Sequence, residues 1–93
     1  MAISRANRRR DRERRVRAAF SGGQVEAALD LLELLELAWH DCYEEISPSE
    51  EIIDDVLLLS GGSMDKLVKA AKLAVLDWRD LKVAADAARR PPT

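Results

Sequence analysis

The chain has little of what most catalytic, metal and disulfide sites require. Its 93 residues include one cysteine, one histidine, three prolines and four glycines, and 4% of the residues are aromatic. A single cysteine excludes a disulfide within the chain and a zinc site built from four cysteines. A single histidine excludes the Glu-x-x-His motif on two helices that di-iron helical bundles use. We therefore expect no catalytic residues, no cofactor and no metal, and we predict a protein that is not an enzyme.

Long hydrophobic runs are also missing. In the leucine-rich part, the longest stretch without a charged residue is VLLLSGGSM, from Val56 to Met64. A membrane-spanning helix needs about 20 apolar residues, so we expect no membrane segment. The arginine-rich beginning lacks the apolar stretch of a signal peptide. A composition of 47% hydrophobic and 34% charged residues favours a soluble domain, which we expect to be cytoplasmic.

The few glycines and prolines that are present divide the chain into four predicted helices. The sequence SGG occurs twice and is typical of helix ends. The sequence SPSEE is typical of a helix start, with Ser47 as the N-cap and Glu50 completing a capping box. The predicted helices span about residues 4–20, 24–45, 48–60 and 64–89. No segment alternates with a period of two, so we predict an all-α fold, a small domain similar to a four-helix bundle.

The second and fourth predicted helices carry the strongest apolar pattern, with spacings of three and four residues. The residues of these two seams are Val25, Ala28, Leu32, Leu35, Trp39, Cys42 and Ile46, and Leu67, Ala71, Ala74, Trp78, Leu81, Ala85 and Ala88. Two such helices can pack antiparallel, with both tryptophans and the cysteine in the core. Leucines and valines outside the seams leave more apolar surface than one small chain covers easily. A homodimer is therefore as good an expectation as a compact monomer.

The charges fall into three blocks. Residues 1–17 hold eight arginines and two acids, residues 18–60 hold eleven acids and no lysine or arginine, and residues 61–93 hold seven basic and four acidic residues. The arginines of the first block are Arg5, Arg8, Arg9, Arg10, Arg12, Arg14, Arg15 and Arg17. The middle of this block has no apolar side. We therefore predict an arginine-rich N-terminal arm or helix over residues 1–17, partly detached from a helical domain over residues 18–93.

Three hypotheses account for the arginine block. The leading one is contact with DNA or RNA by all eight arginines, because guanidinium groups bind phosphates in a bidentate manner. NRRRDRERR resembles, over nine residues and mainly in composition, the arginine-rich RNA-binding peptides of phage antitermination proteins. In this hypothesis the protein is a small regulatory or adaptor protein whose helical body dimerises or binds a protein. In the alternative it is a protein–protein interaction module, an inhibitor or assembly factor, whose acidic, leucine-rich helices or apolar surface engage the partner. The arm then docks on an acidic protein surface, its own included. The third hypothesis is a solvated helix without a partner.

Two further patterns have a functional and a structural interpretation. Glu36, His40 and Glu44 share one helix face, where they could hold a metal ion, but we favour a partly exposed histidine beside acids. The acids of residues 18–60 could imitate the phosphates of DNA and occupy a basic site on another protein. We favour the simpler interpretation that these acids form the solvated side of leucine-rich helices.

Overall fold

The computed structural model describes residues 4–90. Residues 1–3 of the predicted N-terminal arm and residues 91–93 of the predicted helical domain lie outside this range. The described residues form five α-helices and a short 3-10 turn at Gly22–Gln24, without a β-strand. The helices are α1 (Arg5–Ala19), α2 (Val25–Tyr43), α3 (Glu50–Ser60), α4 (Met64–Leu76) and α5 (Trp78–Arg89). The predicted all-α class is confirmed. The number of helices differs from the predicted four, because the fourth predicted helix is divided.

The division of the last predicted helix lies at Asp77. Its backbone is extended, with φ −160° and ψ 91°, and its carboxylate accepts hydrogen bonds from the backbone N–H groups of Arg79 (3.1 Å) and Asp80 (3.3 Å). Aspartate is a strong N-cap because its side chain satisfies N–H groups that the first helical turn leaves without a partner. Asp77 therefore ends α4 and starts α5, which turns to pack against α3. The predicted continuous helix over residues 64–89 is wrong at this residue.

The start of α3 also differs from the prediction. Ser49, not Ser47, is the N-cap, and its hydroxyl accepts from the backbone N–H of Ile52 at 3.3 Å. The SPSEE sequence offers two serines for this position. The hydroxyl of Ser47 instead donates to the carboxylate of Glu36 at 3.0 Å. The buried carboxylate on α2 therefore takes Ser47 as a hydrogen-bond donor, and Ser49 caps α3.

The core lies between α2, α3 and α4 and is closed by the end of α1 and the start of α5. Val16 and Phe20 anchor α1 to this core. Trp39 is buried, as expected, and Trp78 is partly buried at the edge of the core. Cys42 is exposed, so its predicted place in the core is wrong. A seam of three- and four-residue spacings drifts around a straight helix, and by the last turn of α2 it has left the buried side.

The relative direction of α2 and α4 corrects a further expectation. The hydroxyl of Tyr43, at the end of α2, donates to the carbonyl of Val75, near the end of α4, at 2.7 Å. The two helices therefore run in the same direction and are not antiparallel. The reason is topological, since α3 lies between them in the chain and reverses its direction once on each side.

Within residues 4–90, no helix combines the length and the apolar character needed to cross a membrane.

Candidate interaction surfaces

One side of α1 faces α2 and α3 and is built from arginines. Arg5, Arg8, Arg12 and Arg15 are spaced by three, four and three residues, which places them on one helix face. Ser4 starts the helix by accepting from the backbone N–H of Asn7 at 3.2 Å. The arginine side of α1 thus serves as the packing surface that an apolar stripe provides in most small helices.

Arg12 and Glu36 form the centre of this interface, and each side chain is 2% exposed. Arg12 Nη1 donates to Glu36 Oε2 at 2.7 Å, while Nη2 donates to Ser47 Oγ and Glu50 Oε2, both at 2.9 Å. Arg8 donates to the same Glu36 carboxylate from Nε at 2.5 Å and from Nη2 at 3.2 Å. These five side chains, Arg8, Arg12, Glu36, Ser47 and Glu50, are called the arginine network below. The network joins α1 to α2 and to the start of α3.

Two more arginines extend the interface at its exposed edges. Arg9 donates to Asp30 Oδ1 at 2.9 Å, to Glu33 Oε1 at 3.0 Å and to Glu26 Oε2 at 2.8 Å. Arg15 pairs with Glu50 and Asp54 on α3. The acids on α2 and α3 that bind arginines of α1 are Glu26, Asp30, Glu33, Glu36, Glu50 and Asp54. The favoured prediction that the acids form the solvated side of these helices is wrong for Glu36, which is 2% exposed. The other acids of this set remain in contact with solvent and also bind arginines.

The electrostatics of Glu36 and Glu50 follow from this geometry. Burial raises the pKa of Glu36, but hydrogen bonds from Arg8, Ser47 and Arg12 outweigh it, so the net pKa lies below the ordinary value. Burial also raises the pKa of Glu50, and the hydrogen bonds from Arg12 and Arg15 again bring the net pKa below the ordinary value. Both groups are carboxylates at neutral pH, and their charge compensates the arginines that surround them.

The structure therefore divides the eight predicted nucleic-acid-binding arginines into two sets. Arg8, Arg9, Arg12 and Arg15 bind acids of α2 and α3, and Arg5 lies 4.0 Å from Glu36. Arg10, Arg14 and Arg17 point away from this interface and are exposed. Arg17 pairs with Glu13 of its own helix at 3.5 Å, whereas Arg10 and Arg14 form no ion pair with any residue in the range 4–90.

The expected detachment of the N-terminal helix is corrected by these contacts, since α1 is bound along most of its length. An acidic surface of the same chain is one of the docking partners that the sequence predicts for the arginines. The signal for this partner in the sequence is that Glu26, Asp30, Glu33 and Glu36 follow one face of α2, at intervals of four, three and three residues. The pairing is not one to one, because Arg9 alone binds Glu26, Asp30 and Glu33.

A second surface is an apolar groove of about 500 Å³ between α2 and α4. Residues that line it include Leu31, Leu34 and Ala38 from α2, and Val68, Lys72 and Leu76 from α4. Leu34 is 60% exposed and Leu76 is 80% exposed. Lys72 is the one ionisable side chain in the lining, and the other lining residues are apolar. The sequence signal for this groove was the surplus of leucines and valines outside the helix seams.

The polar residues at the end of α2 do not come together as a metal site. Glu36 lies in the arginine network, and His40 Nδ1 lies 3.2 Å from the backbone carbonyl oxygen of Glu45. Glu44 ends the helix in the left-handed conformation, with φ 58°. In the part of the chain that the structure describes, no three histidine, cysteine, aspartate or glutamate residues are grouped to hold a metal ion.

In comparisons with known proteins, no family model, no curated protein and no solved structure matches the chain.

Proposed function

We propose that this protein is a small, non-enzymatic protein–protein interaction module that binds the apolar face of an amphipathic helix in the groove between α2 and α4. The observation that carries the proposal is the exposure of Leu34 and Leu76 on opposite sides of one apolar groove. Contiguous apolar surface of this kind marks interaction sites in soluble proteins. A groove between two helices accepts the ridge of side chains on a third helix, a recurring mode of peptide recognition.

The chemistry of the groove supports binding and gives little support to catalysis. Leu31 and Leu34 on α2 face Val68 and Leu76 on α4 across the groove, and Lys72 adds a positive charge at the rim. A helical ligand would therefore present two or three apolar side chains at spacings of three and four residues, with acids beside them for Lys72. Burial of such side chains contributes about 25 cal/mol for each Å² of apolar surface removed from water.

The state of the arginines also favours this proposal over nucleic-acid binding as the main activity. Arg8, Arg9, Arg12 and Arg15 already bind carboxylates of their own chain. Before these guanidinium groups could bind phosphates, the acids would have to be released, and Glu36 would then remain without compensation for its burial. The same pairing makes Glu36 and Glu50 poor imitations of DNA phosphates for another protein.

The test is a binding experiment with the purified chain immobilised against a lysate of the source cells. The wild-type chain is compared with Leu34→Glu, which places a charge in the groove, and with Val83→Glu. Val83 is 68% exposed on α5 and lies outside the groove lining, which makes it a matched control. Proteins retained by the wild type and by Val83→Glu, but lost with Leu34→Glu, support the proposal when the purified partner shows the same pattern. Partners retained equally by all three chains contradict it.

A second candidate function is binding of DNA or RNA by the outer face of α1. The observation that favours it is the set Arg10, Arg14 and Arg17, which are exposed and spaced by four and three residues on one face, away from α2 and α3. Three arginines give a weaker and less selective contact than the predicted eight. Each phosphate contact contributes about 0.9 to the slope of log affinity against log salt for duplex DNA.

The nucleic-acid candidate is tested by fluorescence anisotropy of labelled duplex DNA and hairpin RNA at low salt and at about 150 mM salt. The double variant Arg10→Gln/Arg14→Gln should lose about two units of the salt slope if these residues bind phosphates. Glu26→Gln is the control. It removes one ion pair of Arg9 and leaves the outer face of α1 unchanged, so the salt slope should stay the same or increase. Equal binding by the wild type and the double variant eliminates this candidate.

A further inference from the structure

Three of the four aromatic residues of the chain line one cleft of about 260 Å³, which shares no lining residue with the apolar groove. Trp39 and Tyr43 lie one turn apart on α2, with ring centroids 4.5 Å apart and ring planes inclined at 46°. Trp78 is the first residue of α5, which turns at Asp77 to pack against α3. The polar side chains of this aromatic cleft are Glu45, Ser49 and Lys82.

The two aromatic side chains from α2 already use their hydrogen-bond donors. The hydroxyl of Tyr43 donates to the carbonyl of Val75 at 2.7 Å, and Trp39 Nε1 donates to Glu45 Oε1 at 3.3 Å. A ligand that needs donors, such as a phosphate or a carboxylate, therefore gains little from these two side chains. What aromatic rings offer besides apolar surface is the negative face of the π system, which attracts cations.

The charges around the aromatic cleft also favour a cation. Glu45 is exposed and forms no ion pair with any residue in the range 4–90. Lys82 lines the cleft too, but its ammonium group lies 3.3 Å from the carboxylate of Glu51 and 3.9 Å from that of Asp55. These two acids compensate the charge of Lys82. The charge that remains in the lining is a carboxylate next to aromatic rings.

One of these rings already accepts a cation from its own chain. The guanidinium of Arg79 lies 5.4 Å from the ring centroid of Trp78, which is within the range of a cation–π contact. Arg79 is not part of the cleft lining, so its side chain does not fill the cleft.

The available acceptors decide which kind of cation fits. A primary ammonium group has three N–H donors, each of which needs an acceptor. The lining offers the carboxylate of Glu45 and the hydroxyl of Ser49, which already accepts from the backbone N–H of Ile52 at 3.3 Å. A quaternary ammonium group has no N–H and needs only aromatic surface and a negative charge. Since a water molecule takes up about 30 Å³ in the liquid, the cleft has room for roughly eight heavy atoms, about the size of choline.

We infer that the aromatic cleft binds a quaternary ammonium group, which contacts Trp39, Tyr43 and Trp78 through its methyl groups and is compensated by the carboxylate of Glu45. Recognition of this class of ligand by several aromatic rings is a common use of cation–π contacts. A choline-like solute and a trimethylated lysine side chain share this chemistry. The site is separate from the groove between α2 and α4 and goes beyond the proposed function.

The test is a titration of the full chain with choline, followed by intrinsic tryptophan fluorescence. Trp39 and Trp78 are the two tryptophans of the chain and both line the cleft, so the signal reports on this site. The neutral analogue of choline, in which carbon replaces the nitrogen, is titrated in parallel, and sodium chloride controls for ionic strength. Choline should bind at least about tenfold more tightly than the neutral analogue.

Two variants locate the binding site. Glu45→Gln removes the charge and keeps an oxygen that can accept from Trp39 Nε1, and it should raise the Kd for choline about threefold to fivefold. Glu44→Gln removes a charge from the neighbouring residue, which is exposed and lies outside the lining, and it should leave the Kd unchanged. Circular dichroism checks that both variants are folded, and the neutral analogue tests the wild-type chain without any substitution.

The outcomes are distinct from those of the groove experiments. Equal affinity for choline and its neutral analogue overturns the inference, and so does the absence of a saturable fluorescence change up to about 20 mM choline. Equal weakening by Glu44→Gln and Glu45→Gln also overturns it, because the effect would then come from the net charge of the chain. Weakening by Glu45→Gln alone supports the inference.

A short peptide with a trimethylated lysine, compared with the unmodified peptide, identifies the source of the quaternary ammonium group. Tighter binding of the trimethylated peptide than of choline assigns the site to a modified protein. Binding of choline without binding of either peptide assigns it to a small solute.

Discussion

Replacement of Glu36 by glutamine probes how α1 is held to the rest of the molecule. Glu36 is 2% exposed and accepts hydrogen bonds from Arg8, Arg12 and Ser47. Glutamine has nearly the same shape but carries no charge, and one of its two terminal groups donates where the carboxylate accepted. The substitution therefore leaves two guanidinium groups beside a neutral amide in a buried position.

The expected loss of stability follows from these contacts. A hydrogen bond to a charged group contributes about 1.5–3 kcal/mol, and breaking a buried ion pair costs about 3–5 kcal/mol. Arg12 keeps its hydrogen bond to Glu50 at 2.9 Å, which limits the damage. We therefore expect Glu36→Gln to lower the free energy of unfolding by about 3 kcal/mol, the lower end of the range for buried pairs.

Glu33→Gln is the matched control on the same helix. Glu33 accepts one hydrogen bond from Arg9, and its side chain is 34% exposed. Arg9 retains Glu26 and Asp30, so the expected loss is below about 1 kcal/mol, as for exposed ion pairs. Salt should distinguish the two sites as well. About 1 M salt screens the exposed pair and should abolish the effect at Glu33, while the effect at Glu36 remains.

Urea unfolding followed by far-UV circular dichroism measures both effects. All chains are compared at the same low protein concentration, so that association between chains does not contribute to the unfolding free energy. Equal losses for Glu36→Gln and Glu33→Gln would refute the reasoning, because burial would then have no influence on the strength of the pairing. A loss at Glu36 that disappears in high salt would refute it in the same way.

Three further predictions address pH, a turn and a cap. Because Glu36 and Glu50 have folded pKa values below the ordinary one, their contribution is complete above the unfolded pKa and is lost as the pH falls through the folded values. The urea concentration at the unfolding midpoint should therefore decrease as the pH is lowered from about 6 to about 3. The decrease should be smaller in Glu36→Gln. Gly62 has φ +83°, and a Cβ there would lie 2.6 Å from a backbone oxygen of α1. Gly62→Ala should cost about 1–3 kcal/mol in urea unfolding, whereas Gly22→Ala, with open space around it, should be close to neutral. Asp77→Ala should lower stability by about 1 kcal/mol in thermal unfolding, and Asp77→Asn, which keeps the cap, should not.

The periodicity of apolar residues predicted most of the core correctly. Leu32, Leu35 and Trp39 are buried where the spacing of the seam places them. The choice between neighbouring caps was harder, because Ser47 and Ser49 are equivalent in local propensity. A contact with Glu36, 11 residues away in sequence, draws Ser47 away from the cap position. Such a choice depends on tertiary structure that a local pattern does not contain.

Two other differences have the same origin. Asp77 sits in a sequence with good helical periodicity on both sides, and the packing of α5 against α3 favours its use as a cap over its use inside a helix. The docking of α1 depends on arginines along one face of α1 that pair with acids along one face of α2, a pattern that apolar periodicity does not register. The division of charge into blocks was visible in the sequence. The partner of each arginine was not, because ion pairs between helices depend on how the helices cross.

The arginine network also has a consequence for the order in which the chain folds. Its hydrogen bonds join residues 11 to 38 positions apart, and Arg12 needs α2 and the start of α3 in place at once. We expect contacts that close such long loops to form late, after the α3–α4 hairpin has gained its local contacts, and we therefore expect the network to be absent from the transition state. Its loss in Glu36→Gln should quicken unfolding and leave the refolding rate nearly unchanged.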